Sequence, residues 1–323
     1  MRLVHLETLR AVLETGSLCG AAKQLGYTTS AVSQQIAALE RTLGVPLFER
    51  GPRNLWPTAA AVQMGRHASA VLSRLAEAAD DMRGYAGGHN GRQRVAAFTT
   101  VSSRVAPRAL ARTVTRFPDA ELTLHDDDSA DVALAVCEGT ADLGLVFEYD
   151  LVPQTWPEEL RTYPVLDEEL VVLCHPEQYP ANGAHIDVAE LADAIWVTNR
   201  EGSTGHENLV RLCAQFGFDP VVRYTSHDFD VVRGIVREGL GIALVPALAL
   251  GTDPAIAMRR LRPDGPRRRV LAVHRATDLN PLVPAALETI HEAAREFTRW
   301  TTEALTVRID SPLASAPAVV IGR

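Results

Sequence analysis

Between Ser17 and Arg50 the chain reads SLCGAAKQLGYTTSAVSQQIAALERTLGVPLFER, and no other stretch restricts the fold as much. It predicts two helices joined by a tight turn, with a further helix ahead of them. In the leading segment Leu6, Leu9, Val12 and Leu13 recur at three- and four-residue spacing, one apolar stripe on a helix. Gly16 ends that helix, and Ser17 offers its hydroxyl as the next N-cap. Leu18, Ala21, Ala22 and Leu25 form the inner face of the second helix, the paired alanines letting a neighbour approach closely. Gly26 suits its C-terminus; Thr28, Thr29 or Ser30 can cap a third helix with Val32, Ile36, Leu39 and Leu43 inside, stopped by Gly44 and Pro46.

The outer N-terminal part of the third helix carries Thr28, Thr29, Ser30, Ser33, Gln34 and Gln35, all hydrogen-bonding and uncharged. In a docked helix-turn-helix this part of the second motif helix enters the major groove, where such groups meet base edges and phosphates. An ordinary helical hairpin with a solvated polar face has the same periodicity. The segment after the third helix favours the DNA reading: Leu47, Phe48, Arg50 and Arg53 lead into Asn54-Leu55-Trp56-Pro57-Thr58, a hairpin-like wing whose arginines suit phosphates.

The chain resembles the LysR-type transcriptional regulators. The matching residues are Gly16-Ser17, Ala21-Ala22, Leu25, Ala31-Val32-Ser33, Gln35-Ile36, Leu39-Glu40, Leu43-Gly44, Leu47-Phe48, Arg50 and Thr58. The resemblance implies a multidomain α+β chain: a winged helix-turn-helix, a long dimerising linker helix, and a two-lobed α/β effector domain similar to type 2 periplasmic binding proteins. It implies double-stranded operator DNA and a small-molecule effector as partners, a homodimer or homotetramer, RNA polymerase as a further partner, and no cofactor. Two positions depart from the family. Thr29 stands where glutamine is frequent and Gln34 where arginine is, which leaves the operator bases open.

The formal net charge of −8 is segregated. Residues 1–94 hold 11 Lys and Arg against 7 Asp and Glu; the rest of the chain holds 21 against 33. A basic front and an acidic rear suit a DNA-anchored sensor, and the mild basicity suggests several DNA-binding domains acting together. A signal-peptide pattern and a membrane-length apolar run are both missing, so the expected location is cytoplasmic, without membrane contact. Cys19, Cys137, Cys174 and Cys213 are widely separated, as inert reduced thiols would be, although a Cys174–Cys213 redox pair stays open at this level.

Residues 61–91 are expected to form a linker. Met64, Ala68, Val71, Leu75, Ala78 and Met82 make a heptad-like seam for a second copy of the chain, or for a helix lying on its own effector domain. Gly84, Gly87, Gly88, His89, Asn90 and Gly91 then read as a flexible hinge. From residue 92 to 303 strands and helices alternate, as in α/β lobes. Strands are expected at Val95–Phe98, Glu121–His125, Leu143–Val146, Leu170–Cys174, Ile195–Thr198, Val221–Tyr224, Ile242–Val245 and Val270–His274, with helices at Pro107–Phe117 and Leu282–Trp300. Lobe I is expected over about 92–164 plus 272–303 and lobe II over about 165–271, the crossovers lying near Tyr163–Leu166 and Leu271–Arg275. Residues 304–323 are expected to form a loose tail.

Ligands of open α/β sheets bind beyond the carboxyl ends of strands. The first strand ends in Thr99, Thr100, Ser102 and Ser103, more hydroxyls than helix capping needs, and the resemblance places Thr100, Ser102 and Ser103 on effector positions. The facing lobe offers Thr198, Asn199, Ser203 and Thr204, and across the cleft stand Asp128, Ser129, Thr225 and Ser226. A carboxylate or amino acid suits such a set. The run His125-Asp126-Asp127-Asp128 lacks the spacing of a closed metal site, and suits a cationic effector instead. An enzyme or a cytoplasmic binding protein on the same two-lobed fold remains the rival; no G-x-S-x-G or H-E-x-x-H arrangement supports the enzyme.

Overall fold

A computed structural model describes residues 1–50, 55–87, 91–178 and 185–310. Helices α1 (Leu3–Thr15), α2 (Leu18–Leu25) and α3 (Thr29–Leu43) form the N-terminal unit. Ser17 Oγ accepts from the Gly20 amide at 3.0 Å, and Thr28 Oγ1 from the Ala31 amide at 3.2 Å, so both expected N-caps are made. Gly26 lies at φ 70°, a left-handed position that gives the motif its tight turn without a Cβ penalty. Leu9, Val12, Ala21, Ala22, Val32, Ile36, Leu39 and Leu47 bury one core between the three helices. Strands β1 (Phe48–Arg50) and β2 (Leu55–Pro57) pair antiparallel as the wing, Arg50 opposite Leu55. Arg53 lies outside the described residues.

Helix α4 (Ala59–Gly87) follows, capped by Thr58, whose hydroxyl accepts from the Ala61 amide. It differs from the expectation in two ways. The helix runs through Gly84 and Gly87, so two glycines of the expected hinge are helical; Gly88, His89 and Asn90 lie outside the described residues. The seam is also divided. Ala68 packs with Leu72 and half-buried Met64 on Leu6 of α1, and Gly65 comes so close to Leu13 that an added Cβ would stand 2.5 Å from its Cδ1. A four-residue stripe faces α1, while Val71 and Leu75, 48% and 51% exposed, point away from it.

Lobe I begins with β3 (Arg92–Ala97), α5 (Thr99–Arg104), α6 (Ala106–Arg116), β4 (Glu121–Asp126), α7 (Ser129–Glu138) and β5 (Leu143–Tyr149). The long β6 (Leu160–Cys174) leads into lobe II: β7 (His185–Asp187), β8 (Ile195–Thr198), α8 (Thr204–Gln215), β9 (Val221–Thr225), α9 (Phe229–Arg237), β10 (Ala243–Pro246) and β11 (Ala257–Arg262). Strand β12 (Arg267–Arg275) returns to lobe I, and α10 (Leu282–Asp310) closes the described chain. One sheet runs through both lobes in the order β4-β3-β5-β12-β6-β11-β7, with β10 also on β6. Trp196 of β8 bridges to Ile242, which brings β8 and β9 beside β10.

Strand β6 pairs with β12 from Leu160 to Glu169 and with β10 from Leu170 to Leu173, so the passage between lobes falls at Glu169–Leu170. On the return strand it falls at Arg267, before the expected 271–275. Strands β7 and β11 go beyond the sequence reading, β11 because its AMRRLR sequence hides its apolar face behind arginines. The end of α10 corrects the expected tail: residues 304–310 are helical, as a segment without Gly or Pro permits. The lobe I core gathers Phe98, Val101, Leu143, Leu145, Val270, Ile290 and Phe297; lobe II has two clusters, around Val171, Val232 and Met258, and around Trp196, Leu209 and Ile242.

Candidate DNA interface and effector cleft

The start of α3 presents Thr28, Thr29, Ser30 and Gln34 to solvent, with Ser33 half-buried behind them. Thr28 and Ser30 share a hydroxyl contact at 3.0 Å, which fixes the first of these groups over the helix start. Gln35 is drawn the other way: its Oε1 accepts from the fully buried Thr8 hydroxyl of α1. The row available to a groove is therefore Thr28, Thr29, Ser30, Ser33 and Gln34. Tyr27, 45% exposed in the turn, precedes it in the chain, and Trp56 on β2 is exposed on the wing. Tyr27 escaped the sequence reading, since a lone aromatic in a turn has no periodicity; Trp56 falls on the expected wing.

Glu40 secures the wing to α3. Its Oε1 accepts from the Leu47 amide at 2.8 Å and the Phe48 amide at 3.3 Å. Glu40→Ala leaves both amides without this charged acceptor, and about 1–2 kcal/mol of stability is expected to go, as read by urea unfolding.

At the first strand end the hydroxyls are mostly engaged by the protein. Thr99 Oγ1 donates to Asp126 Oδ2 at 3.0 Å, Ser102 to the Ala97 carbonyl and Ser103 to the Thr100 carbonyl. Thr100 is only 5% exposed, and its Oγ1 accepts from Arg268 Nη2 at 2.9 Å. Asp128 is the exposed residue ahead of α7, and Ser129 Oγ accepts from the Phe147 amide. In lobe II Ser203 caps α8, accepting from the His206 amide, with Thr204 beside it. Asn199 reaches from the Thr198 strand end to the Ser226 carbonyl, joining the ends of β8 and β9 at Thr198 and Thr225. Gly205 makes room for this, since a Cβ there would stand 2.3 Å from Asn199 Oδ1. Within α8, Asn208 is 1% exposed and its Oδ1 meets no donor among the described residues.

Between the lobes lies a constellation that local spacing did not reveal. Arg268 of β12 and Glu168 of β6 are 2% and 5% exposed and pair at 2.6 Å. Glu168 Oε2 also accepts from the Leu248 amide at 2.7 Å. The Arg268 guanidinium lies 5.0 Å from the ring centres of both Phe98 and Phe147, which pack edge-to-face with centres 4.8 Å apart, a cation held against an aromatic pair. Burial pushes the Glu168 carboxyl and the Tyr149 phenol up, and Arg268 pulls both back. The flanking pairs Arg267–Asp167 and Arg269–Glu148 are more exposed.

Cys174 and Cys213 occupy one lobe II core cluster as free thiols. Burial pushes their thiols to about 11 and about 12, so neither supplies the thiolate that disulfide exchange needs. Exposed Cys19 is expected to react with a thiol reagent on the native protein well before these two, which mass mapping would show. Among the described residues no group of three or more His, Cys, Asp or Glu can hold a metal ion, and no helix is long and apolar enough to cross a membrane.

Comparison with known proteins places this geometry. Residues 3–62 match the bacterial regulatory helix-turn-helix protein, lysR family, and residues 86–295 match the LysR substrate binding domain. The chain belongs to the LysR family. It is a DNA-binding transcriptional regulator with an effector-binding domain, and its family is not one of enzymes. A probable HTH-type transcriptional regulator of Synechococcus elongatus, LrrA, is 29% identical over 92% of this chain and 98% of its own length. The small neutral protease regulatory protein of Streptomyces coelicolor is 30% identical over 83% of this chain and 85% of its own. In fold, this regulator is similar to full-length CbnR complexed with its target DNA, with TM-score 0.66, 24% identity, and 91% and 100% of the two chains covered. Full-length OxyR from Pseudomonas aeruginosa gives TM-score 0.66 at 21% identity, covering 91% and 95%.

Proposed function

We propose that this LysR-family regulator reads its operator through Thr28, Thr29, Ser30, Ser33 and Gln34, with Arg50 and Arg53 of the wing on the phosphate backbone. The exposed polar row at the start of α3 carries the assignment, opposite the inner face of Val32, Ile36 and Leu39 that is spent on the core. A second copy of the chain covers Val71 and Leu75 of α4, so that two recognition helices address one operator, in the cytoplasm where that DNA resides. Gel-shift titration of the full-length protein on the DNA upstream of its own gene tests this. Sequence-selective binding that weakens steeply with salt is expected; equal affinity for scrambled DNA would remove the assignment.

The effector reading places a small molecule between the strand ends of the two lobes, near Thr99, Ser103 and Asp128 on one side and Asn199, Ser203 and Ser226 on the other. Arg268 is already paired with Glu168, exposed Asp126 accepts from Thr99, and Asp128 stands exposed two residues further along. This balance favours an amine-bearing or zwitterionic molecule, such as an amino acid, over a simple carboxylate. An effector acts by binding one lobe arrangement more tightly than the other. A thermal-shift panel of amino acids, amines and monocarboxylates tests the class. Shifts confined to simple carboxylates would reverse it.

A further inference from the structure

We infer that Thr100, Arg268, Glu168 and the backbone amide of Leu248 form one mechanical link that fastens the α5 segment of lobe I to the turn at residues 247–250 of lobe II, with Thr100 and Arg268 as positioning residues. The chain of contacts is continuous. Thr100 Oγ1 accepts from Arg268 Nη2 at 2.9 Å, Arg268 Nε donates to Glu168 Oε1 at 2.6 Å, and Glu168 Oε2 accepts from the Leu248 amide at 2.7 Å. Every side chain in it is at least nine-tenths buried, so water does not compete for these bonds.

Two further observations place the same turn under the control of lobe I. Leu248 packs in the lobe I core cluster with Phe98, Val101 and Val105, whereas its neighbours Ala247, Ala249 and Leu250 pack in lobe II. Leu248 is thus a lobe II side chain seated in lobe I. Arg104, at the end of α5, donates directly to the Leu250 carbonyl at 2.8 Å. The six residues of α5 therefore grip the turn at both ends, once through the buried ion pair and once directly. The guanidinium rests against the edge-to-face Phe98–Phe147 pair, 5.0 Å from each ring centre, so Arg268 cannot swing away without leaving both rings. A displacement of Thr100 is consequently felt at the Leu248 amide, across the lobe boundary. The link stands on these contacts alone; its use in signalling rests on the effector reading above.

Hydrogen exchange on the full-length protein tests it, comparing the segment 246–252 with the lobe cores at 143–149 and 171–174. Thr100→Val removes the acceptor with little change of shape. It is expected to speed exchange at 246–252 about tenfold, the loss of one hydrogen bond to a charged group, while the two cores keep their rates. Thr100→Ser, which keeps the hydroxyl, is expected to restore protection. Unchanged exchange at 246–252, a Ser variant as fast as the Val variant, or acceleration spread evenly over both cores would each overturn the link. Should the Val variant fail to fold, Glu168→Gln is read instead. It leaves an oxygen for Leu248 but drops the charge that holds Arg268, so faster exchange is expected at 99–104, and none there would overturn the link. An intact link with no ligand shift in the panel would remove the effector reading and leave the link standing.

Discussion

Arg268→Ala is expected to destabilise the protein by about 3–5 kcal/mol, because it leaves the Glu168 carboxylate buried without its cation. The neighbours on the same strand supply the control. Arg267 pairs with Asp167 and Arg269 with Glu148, but both arginines are half-exposed, so alanine at either is expected to cost less than about 1 kcal/mol. Three consecutive arginines thus differ sharply in effect, and burial is what separates them. Urea unfolding of the three single variants reads the difference; a loss at Arg268 no larger than at Arg267 would refute the burial argument. The deficit should also depend on pH. Burial already raises the Glu168 pKa against the pull of Arg268; without Arg268 the Leu248 amide alone opposes desolvation, so the folded pKa stands further above the unfolded value. Such a group stabilises fully below the unfolded carboxyl range and loses that contribution as pH rises through its folded pKa. The Arg268→Ala deficit is therefore expected to shrink on acidification. Replacing both partners with apolar residues of similar volume removes the charge as well as the pair, and is expected to cost far less than the single substitution.

Much of this architecture is legible in the chain because the signals are local. Ser17, Gly26, Thr28 and Gly44 act within a few residues of themselves, so caps and turns can be read directly, and the apolar stripes of α1 to α3 meet as their periods require. The same holds for strands with clear alternation or apolar runs, such as β3, β5 and β10. The parts that escape are set by long-range pairing. Glu168 and Arg268 stand 100 positions apart, and each sits in a charged run that reads as ordinary surface. Strand β11 is obscured in a similar way: Arg259 is buried and Arg260 pairs with Glu169 of β6. The α4 seam shows a third limit. Periodicity identifies an apolar face but not its partner, and Ala68 turned to α1 of its own chain while Val71 and Leu75 did not. At the cleft, hydroxyl count alone gave no indication that Thr100 is already bonded to Arg268.

The same distinction, between a side chain that faces outward and one spent within the chain, divides two adjacent glutamines on α3. Gln34 is exposed, whereas Gln35 lends its Oε1 to the buried Thr8 hydroxyl. Gln34→Ala is expected to lose about 1–3 kcal/mol of operator affinity, the worth of a good side-chain contact to a base edge, with little change on random DNA or in thermal stability. That corresponds to roughly a 5- to 150-fold rise in the operator Kd. Gln35→Ala should behave in the opposite manner: it removes one of the two acceptors of the buried Thr8 hydroxyl, which keeps the Val4 carbonyl at 2.7 Å, so the melting temperature falls modestly while the ratio of operator to random affinity holds. Fluorescence anisotropy on operator and scrambled duplexes, paired with thermal unfolding of each variant, separates the two. If Gln34→Ala weakened both duplexes equally, its side chain would be touching phosphate rather than base, and base reading would fall to Thr29, Ser30 and Ser33. The departure at Gln34 from the arginine frequent in the family makes this the informative position. A neutral amide adds no counterion release, so its loss should leave the salt dependence of binding unchanged, whereas loss of a wing arginine should reduce it.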